Sequence, residues 1–161
     1  VCIDSHVVVW GVKEQANDSQ KHMISKTKSF LRWLDEENKK ILIPSPVITE
    51  ILSPVPPADH SKITTLINKR FIIGPFDALA SQQCAKMIYE KDPEIDKYIK
   101  EGKIPKRKWK YDYMIGSIAV VNNAECIYSE DPDLSKFGEG YIDVRKIPSI
   151  GEQGDFFKSN K

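Results

Sequence analysis

The sequence predicts an α/β fold, with a mostly parallel sheet of about five strands and helices on both faces. Three observations predict it. Short apolar, β-like runs alternate with longer helical stretches, the pattern of successive βαβ units. One of these runs, ECIYS (125–129), reads as a buried-type strand, as parallel strands are. The 161 residues carry no internal repeat or low-complexity segment and fit one domain, long enough to bury a core.

The elements follow in order. VCI (1–3) is strand-like, and Asp4 interrupts it. Hydrophobicity alone would carry one strand on through Val7, Val8 and Val9; instead Ser5 suits the cap of a helix through Val7, Val8 and Trp10. HMISKTKSFLRWLDEENKK (22–40) is helical, with Ile24, Leu31 and Leu34 on one face and charge on the other. ILI (41–43) is a short apolar run. SPVITEIL (45–52) reads as a helix with Ser45 as N-cap and Pro46 at the first helical position, ended by Pro54, Pro56 and Pro57. HSKITTLINK (60–69) is the next helix, and RFIIGPF (70–76) the next strand, stopped by Gly74 and Pro75. Asp77 caps ALASQQCAKMIYEK (78–91), and EIDKYIKEGK (94–103) forms a short charged helix after Pro93. YDYMIGSIAVVNN (111–123) is an apolar helix, ECIYS (125–129) a buried-type strand and GYIDVRKI (140–147) a final, alternating strand.

Composition bounds the function. Apolar residues are 40% and charged residues 29%, which suits a soluble globular chain. The formal net charge is +1, from 24 basic and 23 acidic side chains, so any polyanion-binding surface must come from local clustering. The three cysteines, Cys2, Cys84 and Cys126, are odd in number and lack CxxC spacing, which argues against a disulfide framework or a thiolate metal site. Cys2 and Cys126 fall in strand-like runs and read as buried free thiols, in keeping with a cytoplasmic protein. No apolar run is long enough to cross a membrane, and no signal-peptide pattern opens the sequence. A nucleophile elbow, a P-loop and a HExxH motif are all missing.

Open α/β sheets bind ligands beyond the carboxyl ends of their strands. Four carboxylates are expected there: Asp4 after the first strand, Glu50 in the helix after ILI, Asp112 in the first turn of an apolar helix, and Asp131 after CIYS. Asp133 follows two residues later, and Gly116 lies one turn along from Asp112, where it would let another backbone come close. Each acid alone suits a turn, a cap or a solvated helix face. Four together would repel one another and lose stability unless a cation compensates. A hard divalent ion is the natural partner of such an all-oxygen site, and it can activate water and stabilise a phosphoryl transition state.

VCIDSHVVVWGV, IPSPVITEIL, KYDYMIGSIAVVNNAECIYSEDPDL and GYIDVRKI resemble, in order and over nearly the whole chain, the successive motifs of the PIN domain family. The resemblance implies a Rossmann-like three-layer α/β/α sandwich, here a single domain over 1–161 with a basic loop or helical insertion around 92–110. It implies a metal-dependent endoribonuclease using one or two Mg²⁺ or Mn²⁺ ions. Asp4, Glu50, Asp112 and Asp131 match the family's four acids as catalytic and metal-holding residues, with Asp133 as a companion metal ligand. Ser129 matches the small hydroxyl residue of the fourth motif, and Ser5 the hydroxyl residue that follows the first Asp. His6 stands where the family often has Asn, and Leu134 where it usually has Phe. A large group of the family are toxins of toxin–antitoxin pairs, which implies an antitoxin protein and a homodimer as partners beside RNA.

KIPKRKWK (103–110) ends two residues before Asp112. Lys106, Arg107, Lys108 and Lys110 there are expected to guide a phosphate backbone towards the acids, together with Ser5, His6 and Ser129 as substrate contacts. Trp109 could stack on a base, though burial in the core suits it slightly better. His22 and His60 read as surface residues. The alternative is a catalytically inactive PIN-like module that binds RNA or protein, against which the presence of all four acids counts. A haloacid-dehalogenase-type phosphatase needs a second Asp two residues after the first, where this chain has His6. A response receiver needs paired early acids and a Lys after a late strand, which CIYSED does not offer.

Overall fold

The structure, a computed structural model, describes residues 1–101 and 108–150, with the side chains of 92–96, 98–99 and 108–109 outside that description. Five short strands form one sheet: β1 (Cys2–Ile3), β2 (Leu42–Pro44), β3 (Ile72–Gly74), β4 (Ile127–Tyr128) and β5 (Val144–Arg145). Their order is β3-β2-β1-β4-β5, and every pairing is parallel. β1 sits at the centre, with Cys2 beside both Leu42 and Ile127. The order reverses beside β1, so the carboxyl ends of β1 and β4 flank the crevice where such sheets take ligands.

Among the described residues the strands alternate with seven helices: α1 (Ser5–Gly11), α2 (Lys21–Glu36), α3 (Ser45–Leu52), α4 (Pro57–Asn68), α5 (Ala78–Lys100), α6 (Lys108–Val121) and α7 (Pro132–Gly138). The result is a three-layer α/β fold of PIN-like architecture. α1 packs on α2, α6 packs on α5 and α7, and α3 touches both α1 and α6. No helix among the described residues is long and apolar enough to cross a membrane.

Local chemistry explains the elements. β1 and β4 are fully buried, as central parallel strands must be. α1 forms despite its three valines, which are poor helix formers. Its Asp4 cap and the burial of Val7, Val8 and Trp10 outweigh propensity. Cys2, Cys84 and Cys126 are buried free thiols, and burial pushes the thiol of Cys2 upward. A second, smaller core of Cys84, Met87, Tyr113 and Phe137 joins α5, α6 and α7. Gly116 serves that junction: a Cβ there would lie 3.2 Å from Met87 Cε, so its neighbour is a side chain and not the backbone expected from sequence.

Several elements differ from their sequence reading. In α2 the buried stripe is Met23, Thr27, Phe30, Leu31 and Leu34, whereas Ile24 is only half-buried at its edge. Pro44, not Ser45, is the N-cap of α3, because the Ser45 hydroxyl instead accepts a hydrogen bond from the Phe76 amide at 3.0 Å. α4 starts at Pro57, whose fixed φ suits a first helical turn. α5, capped by Asp77 as expected, continues through Pro93 to Lys100 as one helix. Its packing along α6 outweighs the one backbone hydrogen bond that proline removes. α6 begins at Lys108, which moves Asp112 out of the first turn. α7 has no counterpart in the sequence reading, and the last strand shrinks to two residues.

Candidate active site

Asp4 ends β1 and caps α1. Its Oδ1 accepts the Ser5 amide at 2.6 Å and its Oδ2 accepts the Ser129 hydroxyl at 2.7 Å. Asp131 follows β4 and caps α7, with its Oδ1 accepting the Asp133 amide at 2.9 Å. Ser129 ties the two loops together, because its Oγ also accepts the Asp131 amide at 3.0 Å. The two central strand ends are therefore cross-linked by one buried hydroxyl, which fixes the carboxylates before any ligand arrives.

Glu50 reaches the same place from α3, and Asp112 from α6. A cavity of about 460 Å³ is lined by all four acids, with Ser5, His6, Thr49, Ser53, Tyr111 and Ile115. Four elements separated in sequence thus contribute one carboxylate each. Asp4 and Asp112 are 6% and 7% exposed, a costly location for charge that lacks compensation. Glu50 is exposed by area at the rim. The cavity wall still displaces enough of its water to raise its carboxyl above the usual range, and the charges of Asp4 and Asp131 add to that; a hydrogen bond from Ser5 and the nearby His6 offset part of it. Glu50 is thus electrostatically coupled to Asp4 and Asp131 across the cavity.

The donor chemistry suits a hard divalent cation, since every carboxylate offers oxygen and Mg²⁺ keeps several waters among few protein ligands. Among the described residues, no three His, Cys, Asp or Glu side chains converge closely enough to hold one ion between them as placed. The carboxylates ring a cavity and do not form a closed cage.

The other expected site residues fall in three groups. Ser5 and His6 line the cavity. Ser129 does not: it is buried behind Asp4 and Asp131 and engaged with both. Asp133 also stands outside the wall, its carboxylate 3.1 Å from Lys136. Lys110 is exposed, two residues before Asp112. Lys106 and Arg107 lie outside the described residues, as do the side chains of Lys108 and Trp109. His22 is exposed, and His60 is half-buried with Nε2 2.9 Å from the Val55 carbonyl oxygen. Thr49, Ser53 and Tyr111 are cavity residues that the sequence reading missed. Their signal was proximity: Thr49 on α3 and Ser53 at its C-cap lie close to Glu50 in sequence, and Tyr111 precedes Asp112.

No family model matches this sequence, and no curated protein matches it either. Among solved structures it is similar to a chain of the crystal structure of VapBC2 from Rickettsia felis bound to a DNA fragment from their promoter. The TM-score is 0.61 at 15% identity, over 90% of this chain and 96% of that one. The likeness is one of fold, and it extends over nearly all of both chains.

Proposed function

We propose that this chain is a metal-dependent endoribonuclease that hydrolyses RNA phosphodiester bonds with water as nucleophile. The observation that carries the reading is the convergence of Asp4, Glu50, Asp112 and Asp131 on one cavity at the switch point of a parallel sheet. Such clustering raises the energy of the empty site and favours a counter-charge. When bound, Mg²⁺ or Mn²⁺ supplies charge neutralisation at the phosphate and activates water. The chain's own part is positioning. Ser129 orients Asp4, α7 orients Asp131, and Glu50 enters from α3 with its proton affinity raised. Ser5, His6 and Lys110, with Lys106, Arg107 and Lys108 before it, are the proposed substrate contacts.

Similarity to a VapBC2 chain supports a finer reading: the nuclease is the toxin of a toxin–antitoxin pair, held in check by a protein antitoxin. The test uses single-stranded and structured RNA with Mg²⁺ or Mn²⁺, with chelator, and with Asp4→Asn and Asp112→Asn variants. Chelator-sensitive cleavage that both variants lose is the expected result. RNA bound but left intact under every metal condition would make the chain an inactive binding module instead.

A further inference from the structure

We infer that His6 forms a nucleobase platform beside the carboxylate cavity, stacking the base of a nucleotide whose phosphate sits among the acids. This rests on the nuclease reading and extends it to how substrate is held.

His6 lies in the first turn of α1, two residues after Asp4. Its imidazole stacks on Trp10, one helical turn on, with ring centroids 5.0 Å apart and an interplanar angle of 11°. Trp10 is only 4% exposed, so a buried indole covers one face of the ring. Nδ1 is shut off from solvent and has no hydrogen-bond partner. It stands 3.7 Å from Asp4 Oδ2, beyond hydrogen-bonding length. Even so, the side chain is 42% exposed. Trp10 packs against one face of the ring, and His6 lines the carboxylate cavity, so the exposed part of the ring is available to a ligand there.

A histidine kept for its nitrogens would have Nδ1 fixed by a donor or acceptor, as structural and catalytic histidines do. Here the flat ring is what is fixed. A rigid aromatic face at the edge of a phosphate-handling site is what an unpaired base stacks on, and histidine is one of the side chains that serve this purpose. Stacking needs no particular protonation state and tolerates any base, so the platform selects for an unstacked nucleotide rather than for a sequence.

The test measures binding of short single-stranded RNA in Mg²⁺ by fluorescence anisotropy, using the full chain carrying Asp112→Asn so that substrate persists. His6→Ala and His6→Gln are expected to weaken binding roughly tenfold, the scale of one lost base stack. His6→Phe, which keeps an aromatic face without nitrogens, is expected to bind like the parent. Abasic substitution along the RNA should reveal one position that weakens the parent and His6→Phe but leaves His6→Ala unaffected. Parent-like binding by His6→Gln with loss in His6→Phe would overturn the platform in favour of a nitrogen contact. Equal binding by all the variants would overturn it as well, while cleavage by the wild type would leave the nuclease reading intact. Failure of the parent to bind RNA, with no cleavage by the wild type, would remove both readings.

Discussion

Ser129→Ala tests the strut between the two central strand ends. The hydroxyl is 3% exposed, donates to Asp4 Oδ2 at 2.7 Å and accepts the Asp131 amide at 3.0 Å. The first bond is to a buried carboxylate and contributes about 1.5–3 kcal/mol; the second, between neutral groups, contributes about 0.5–1.5 kcal/mol. The lost oxygen leaves too small a gap for a large cavity penalty. The variant should therefore unfold about 2–4 kcal/mol more easily, a fall in melting temperature on the order of 4–16 °C for a chain of this size. Urea titration at neutral pH measures the loss directly. The same change in an Asp4→Asn background should cost less, because the charge-assisted partner is already altered; the coupling should be about 1 kcal/mol or more. Additive losses, or a Ser129→Ala variant within about 0.5 kcal/mol of wild type, would refute the strut.

Glu50→Gln should be more stable than wild type at neutral pH without metal. The folded state raises the Glu50 pKa, so stability falls as pH rises from the unfolded value through the folded one; melting curves from pH 4 to 8 should show the variant's advantage vanish at the acid end. Mn²⁺ should raise the melting temperature of the wild type and much less that of Asp4→Asn, and equal shifts would mean that the carboxylates do not act together. Gly11→Ala should destabilise by about 1–3 kcal/mol, because its Cβ would meet Leu31 Cδ1 at 2.6 Å and Thr27 Cγ2 at 2.8 Å where α1 crosses α2; a neutral result in denaturant would show that the crossing can spread. Phe30→Ala, fully buried against Tyr128 at 4.5 Å between ring centroids, should cost about 3–5 kcal/mol by the same assay.

The sheet was legible because parallel strands need continuous apolar runs, and VCI, ILI and CIYS supply them. Asp4 and Asp131 could be placed because a polar residue just after a buried strand has few roles. What sequence obscured was competition between local and tertiary terms. Ser45 looked like a cap, yet its hydroxyl serves the Phe76 amide across the fold. Pro93 looked like a break, yet the helix runs on beside α6. Ser129 looked like a substrate contact because motif order cannot distinguish a cavity wall from the layer behind it. Only its two hydrogen bonds make that distinction. His6 was expected to touch substrate, but its stacking on Trp10 depends on side-chain rotation that spacing alone does not set.

The bond from Ser129 to Asp4 spans 125 residues. β1, made from the first few residues of this sequence, pairs with β2 on one side and on the other with β4, which comes 124 residues beyond Ile3. During synthesis, therefore, Asp4 emerges 125 residues ahead of Ser129 and 127 ahead of Asp131. Contacts this distant form late, once the loop-closure entropy has been met. A nascent chain carries no assembled carboxylate ring until β4 docks, so interrupted translation yields fragments without the site. The site is thus a property of the whole fold: a fragment ending before β4 holds Asp4, Glu50 and Asp112 but neither Ser129 nor Asp131.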